Sequence, residues 1–316
     1  MAEPAQRICS LLPSATEIVC ALGLSDRLVG VTHECDFPPA VRQKPKVTSS
    51  VIDSEGLSGA EIDQAVRDSL TEEATIYHLD RTMLDHLRPD LILTQELCDV
   101  CAVGTDMVKE TVATLSSPPK VVSLEPRTVN EVLESILTVG RLTGTQQRGA
   151  ELVQQLQKRL DRVRQAVRER PVVPVLTLEW VDPVFVGGHW VPEMVRMAGG
   201  QDVLGQAGQP SRQSTWREVA DSRPEVVIAM PCGFGVERSA EELSRTALPA
   251  EWSGLPAVRA DRVFVVDGSS YFNRPGPRLI EGVEILARLL HPDVLGVLGD
   301  APEGSCARYA VDTVRN

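Results

Sequence analysis

The sequence predicts an α/β fold of two Rossmann-like lobes with parallel sheets, joined by a single long backbone helix. Three observations carry this expectation. Short apolar runs rich in Val, Ile and Leu alternate with helical stretches in both halves of the chain, the pattern of a parallel sheet covered on both faces. Between the halves, residues 145–170 read as continuously helical, with no Gly or Pro after Gly149. In both halves, apolar strands run directly into loops carrying Cys, Gly or Pro, and the carboxyl ends of strands are where such folds take ligands.

In the first half, Arg7–Leu12 reads as a strand ended by Pro13. Ser14 followed by Glu17 is a capping-box pattern that opens an apolar helix stopping at Gly23. Leu28–Thr32 is the second strand, and Pro38 and Pro39 force an extended exit from the loop His33–Phe37. A helix over Ser58–Leu70, a short strand Thr75–Leu79 and a helix Asp80–Leu87 lead to the strand Asp90–Thr94. The stretch Gln95–Cys101 follows, with Cys98 and Cys101 in a Cys-x-x-Cys spacing. A helix near Asp106–Leu115 and the strand Lys120–Leu124 complete this lobe. The expected domains are 1–127, a helical connection 128–170 containing the backbone helix, and 171–316. In the connecting helix the apolar positions 152, 153, 156, 160, 163 and 167 mark one face. About 25 residues at 1.5 Å each make a rod near 37 Å.

The second half restarts with Val175–Trp180 and Val184–Val186, then the loop Gly187–Trp190 and a helix Val191–Ala198. Glu225–Met230 runs into Pro231–Gly235, and Arg262–Asp267 runs into Gly268–Gly276. Arg278–Leu290 is a closing amphipathic helix, with a loosely held tail beyond Pro292.

A net charge of −12 argues against a nucleic-acid partner, which needs a basic face. No window approaches the roughly 18–20 apolar residues of a membrane span, so no membrane insertion is expected. The first residues show no basic stretch followed by an apolar core, so a cytoplasmic location is expected. Seven cysteines in such a chain point to reduced thiols or metal ligands rather than a disulfide framework.

Cys35, Cys98, Cys101 and Cys232 each fall just past a predicted strand, with His33 beside the first. Soft thiolates with imidazole suit zinc or an iron–sulfur cluster. Cys9 and Cys20 lie inside a strand and a helix, and core packing is expected there. Glu34, Glu96, Glu179, Ser14, Thr16 and Glu17 add polar groups at strand or helix ends, and His189 a second imidazole. Aromatics are 4% of the chain, and Phe37, Trp180, Trp190, Phe234, Tyr271 and Phe272 fall at predicted loop edges, where flat rings suit a macrocycle. Packing into a lobe core is the competing expectation for Trp180 or Trp190. Arg274 is placed to meet a carboxylate or phosphate, or simply to start the closing helix.

With these residues in place, the chain resembles the class III, helical-backbone substrate-binding proteins of vitamin B12 and iron-siderophore uptake. The resemblance is carried by Leu12–Gly23 after the first strand, Leu28–Thr32 before a cysteine-and-proline loop, Leu87–Thr94, and the long joining helix. It spans about Arg7 to Leu290. More narrowly, His33–Asp36, Cys98–Ala102 and Pro231–Phe234 are similar to a cytosolic cobalamin-binding-like branch. The resemblance implies a cobalamin-like corrinoid or other small-molecule metal chelate held in a cleft between two lobes; with no signal peptide visible, a cytosolic carrier or sensor is expected ahead of an enzyme. The alternative is a metalloprotein or metalloenzyme with zinc or an iron–sulfur cluster on the cleft cysteines. Without a visible signal peptide, a membrane permease partner is not expected.

Overall fold

The computed structural model describes residues 3–72, 75–95 and 105–310. Glu96, Cys98 and Cys101 therefore lie outside the described residues. The chain forms two compact units. The first holds Met1–Leu57, Glu61–Pro126 and Asn130–Gln155, and the second holds Ser58–Ala60, Arg127–Val129 and Leu156–Asn316.

In the first unit, β1 (Ile8–Ser10), α1 (Pro13–Ala21) and β2 (Leu28–Val31) come first. They are followed by β3 (Thr48–Ser50), α2 (Gly59–Glu72), β4 (Tyr77–Leu79), α3 (Arg81–Leu87) and β5 (Leu91–Thr94). Next come α4 (Thr105–Ala113), β6 (Lys120–Ser123) and α5 (Val129–Thr143), and α6 (Gln146–Val167) belongs to this unit as far as Gln155 and to the second from Leu156. The four-stranded sheet has the order β2-β1-β5-β6 and is parallel throughout. Cys9, Leu11, Val47, Leu84, Ile92 and Val108 form a core beneath it. Cys9 is fully buried, as its strand position predicts, and burial first, then the neighbouring Cys35, pushes its thiol far above the usual range.

The Ser14–Glu17 capping box is corrected. Leu12, in extended backbone, is the N-cap, and no side chain caps α1. Pro13 takes the first turn, where its missing N–H costs nothing, so Ser14 and Glu17 fall inside the helix and are buried. The backbone-helix stretch forms α6, and Val153, Leu156, Leu160, Val163 and Val167 are buried along one face.

The second unit contains β7 (Val173–Trp180), β8 (Phe185–Val186), α7 (Val191–Met197), β9 (Gly200–Asp202), β10 (Arg212–Gln213), α8 (Trp216–Ser222) and β11 (Val226–Ala229). It continues through α9 (Val236–Arg245), α10 (Ala250–Gly254), α11 (Pro256–Arg259), β12 (Val263–Val266), α12 (Gly268–Tyr271), α13 (Leu279–Leu290) and β13 (Cys306–Arg308). Its sheet differs from the all-parallel expectation. The central strands β9, β7, β11 and β12 are parallel, whereas β8, β10 and β13 are antiparallel additions. β10 and β13, two and three residues long at the ends of this strand order, carry no apolar run that would reveal them in the sequence. The tail is not loose either. Cys306–Arg308 pairs with β12, and Arg288 donates to the carbonyls of Leu298 and Gly299 at 2.7 and 2.8 Å.

Candidate functional site

Strand order locates the candidate site in each unit separately. In the first unit the chain leaves β1 toward β2 on one side and later returns to β5 on the other. The switch point of the sheet therefore falls between β1 and β5, the place where folds of this kind take ligands. The loop from β1 enters α1, and the loop from β5 begins at Gln95. Ser14, Thr16 and Glu17 lie here, all buried. The Thr16 hydroxyl lies 3.0 Å from the Cys35 thiol, tying α1 to the loop after β2.

That loop is held from several sides. Cys35 N–H donates to Thr32 O at 3.1 Å, closing a turn. Lys46 Nζ donates to Thr32 O and Cys35 O at 3.3 and 3.0 Å. Thr48 Oγ1, on β3, donates to Thr32 Oγ1 at 2.8 Å and accepts the His33 backbone N–H at 3.1 Å. His33 Nδ1 is 2.8 Å from the same Thr48 oxygen. The His33 ring lies 5.6 Å from that of Tyr77. Phe37 is 41% exposed. Thr48 was not singled out in the sequence, because a lone Thr before a three-residue strand carries no signal.

In the second unit the switch falls between β7 and β11. Glu179 and Trp180 end β7, and Cys232 follows β11, its N–H donating to Glu179 O at 3.3 Å. The Glu179 carboxylate accepts from Gly188 N at 3.0 Å and from the Ser211 hydroxyl. It therefore clamps the Gly187–Trp190 loop to the segment before β10. The two segments also pair through their backbones, His189 N–H to Gln209 O at 2.5 Å and Gly208 N–H to His189 O at 2.8 Å. His189 adopts a left-handed φ of +49°. Its pKa is lowered, first by burial and then by the charge of Arg127, which favours the neutral ring. The Gly187 and Ser211 loops line a hollow of about 280 Å³ with Leu204, Gln209 and Arg212.

The aromatics divide into two groups. Trp190, Phe234 and Phe272 are buried, and the Trp190 indole N–H donates to Phe272 O at 2.7 Å. These rings pack the unit rather than standing at a loop edge. Trp180 and Tyr271 are half-buried. Trp180 Nε1–H donates to Gly59 O at 3.1 Å, its ring meets Phe234 at 5.3 Å, and Arg238 lies 4.0 Å over Phe234. Arg274 is buried, and Arg278 lies 5.6 Å from the Tyr271 ring.

Of the four thiols expected to hold a metal, Cys98 and Cys101 lie outside the described residues. Cys35 is buried, Cys232 is exposed, and no group of three or more His, Cys, Asp or Glu that could hold an ion occurs among the described residues.

Asp202 holds the floor of the same loops. It accepts from the Thr177 hydroxyl, from Leu204 N at 3.1 Å and from Gly205 N at 2.7 Å. Burial raises its pKa above the usual 3.8, and these hydrogen bonds only partly offset the shift. A raised carboxyl binds its proton more tightly when folded, so its contribution to stability is lost as pH rises from about 4 through the folded value. Asp202→Asn removes that loss. The melting-temperature difference, variant minus wild type, is expected to grow with pH and then level off. A difference independent of pH would contradict the assignment.

Residues 8–269 match the periplasmic binding protein family. The chain belongs to that family. Its relatives include the ABC transporter substrate-binding lipoprotein YvrC of Bacillus subtilis, 26% identical, with 91% of this chain and 81% of that one covered. A vitamin B12-binding protein of Vibrio cholerae is 23% identical over 89% of this chain and 87% of its own. Among solved structures, the periplasmic haem-binding protein RhuT of a Roseiflexus species superposes with a TM-score of 0.69 at 21% identity, covering 92% of this chain and 99% of that one. That likeness shows the two-lobed fold. The cytoplasmic location expected from the first residues is overturned, because these family members are lipoprotein or periplasmic by name. Relatives matching nine-tenths of the chain outweigh a reading of its first seven residues.

Proposed function

We propose that the chain is the substrate-binding component of an ABC-type importer for a tetrapyrrole-class metal chelate, a corrinoid first and haem second. One observation carries the reading: a relative named as a vitamin B12-binding protein matches along 89% of this chain. A haem-binding protein of the same fold supports the second choice. Importers of this class need a permease, so a membrane permease is the partner.

The chemistry of the strand ends suits such a ligand. Phe37 in the first unit and Trp180 and Tyr271 in the second keep part of their ring surface accessible, and flat apolar rings cover a macrocycle face at little conformational cost. The buried rings Trp190, Phe234 and Phe272 instead stiffen the loops that carry them. Preorganised loops lose less entropy on binding.

Titration with aquocobalamin, cobinamide, haem and a ferric siderophore, read by difference absorbance, tests the proposal. A saturable spectral change with one macrocycle is expected, at a dissociation constant of about 1 μM or below. Absence of saturation with all four ligands rejects the reading.

A further inference from the structure

We propose that the buried start of α1, together with the side chains of Ser14 and Gln95, is a subsite for an anionic oxygen group of the ligand, a carboxylate or a phosphate. The proposal rests on the reading of the chain as a carrier of tetrapyrrole-class chelates and names the polar group by which such a ligand is held.

An α-helix begins with N–H groups that have no acceptor inside the helix. In α1, Leu12 at the N-cap offers no side-chain acceptor, and Pro13 at the first position has no N–H to satisfy. Thr16 N–H reaches Leu12 O at 3.2 Å. The N–H groups of Ser14 and Ala15 remain, and neither meets an acceptor among the described residues. Such donors are ordinarily left to water, but Ser14 is 3% exposed and Ala15 0%. A buried N–H without a partner is rare and calls for an acceptor. Glu17, the one carboxylate of α1, already has a partner of its own.

Two side chains add to this set. The Ser14 hydroxyl has no hydrogen-bond partner among the described residues, and neither has the amide of Gln95, a residue only 5% exposed. Buried polar side chains are otherwise nearly always paired. The sheet brings the two together from distant parts of the chain. β1 and β5 are parallel neighbours with Ser10 beside Leu93, and Leu11 N–H donates to Leu93 O at 2.9 Å. The chain reaches Ser14 just beyond Leu11 and Gln95 just beyond Leu93, so both stand at the switch point between β1 and β5.

Donors dominate the set: two main-chain N–H groups, a hydroxyl and an amide NH₂. The dipole of α1 adds partial positive charge at the same end. A helix start with open N–H groups suits an oxygen bearing negative charge, and hydrogen bonds to such an oxygen are stronger than those to a neutral one. Haem carries propionate carboxylates, and cobalamin carries a phosphate in its nucleotide arm, which cobinamide lacks.

The test compares the full wild-type chain with Ser14→Ala and Gln95→Leu, using ligand pairs that differ in the anionic group. Haem is set against its dimethyl ester and aquocobalamin against diaquocobinamide, each titrated by difference absorbance. Wild type is expected to hold the anionic member of one pair more tightly. Each variant is expected to bind that member about tenfold more weakly or worse, and the other member as wild type does. A preference confined to the haem pair identifies a carboxylate, and one confined to the cobalamin pair a phosphate. A second readout needs no macrocycle. In isotope-labelled protein, inorganic phosphate is expected to shift the Ser14 and Ala15 amide resonances saturably, and less in Ser14→Ala. Macrocycle binding with no preference in either pair, unchanged in variants with native circular dichroism, overturns the inference and leaves the proposed function standing. Phosphate-induced shifts at Ser14 and Ala15 without binding of any macrocycle uphold the anion site and reject the tetrapyrrole reading.

Discussion

Gly188→Ala is expected to cost about 3 kcal/mol or more. A Cβ at this position would stand 2.1 Å from Ser211 N, 2.5 Å from Pro210 C and 2.6 Å from Ser211 Cα. All three atoms are main chain, so no side-chain rotation relieves the clash. The segment before β10 must move, and its movement breaks the His189–Gln209 and Gly208–His189 backbone pairs and the Glu179–Ser211 contact. For a unit of this size the melting temperature should fall by roughly 6–12 °C, measured by scanning calorimetry. A fall of less than about 2 °C would show that the loops are not locked as described.

Trp190→Ala is expected to be at least as damaging, for a different reason. The indole is buried, and truncating a buried Trp costs about 3–5 kcal/mol. Its N–H is also the 2.7 Å donor to Phe272 O, and a buried carbonyl left without its donor adds about 1–3 kcal/mol. Trp190→Phe separates the two contributions, since it keeps most of the apolar volume and loses the hydrogen bond. Denaturant melts should rank wild type above Trp190→Phe and Trp190→Phe above Trp190→Ala, with the larger step at the second replacement. Equal midpoints for the two variants would mean that the hydrogen bond, not packing, carries the effect.

The fold was legible where periodicity and length are both present. α6 announces itself through apolar spacings of three and four without a Gly or Pro interruption. β5 and β11 read as continuous apolar runs because both faces are covered. Short strands without an apolar run were not legible. β3 and β10 have three and two residues, yet β3 supplies Thr48 and the segment before β10 supplies Ser211, each a partner of a candidate site residue.

The candidate residues show the same limit. Sequence placement put His33 and Glu179 correctly at strand ends, because that depends only on finding the strand. It could not separate Trp180 from Trp190, since partial exposure of one and full burial of the other depend on Phe272 and Phe234, distant in sequence. Ser14 misled for a local reason: Pro13 starts the helix one residue before the apparent cap.

Equilibrium dialysis against aquocobalamin and haem, with a thermal melt of each loaded sample, tests the central claim most directly. Saturable retention of one of them is expected, together with stabilisation of about 2.7 kcal/mol at a free ligand concentration near 100 Kd. No retention of either macrocycle, with melting curves superimposable on that of the protein alone, would contradict the assignment of this chain as a carrier of tetrapyrrole-class metal chelates.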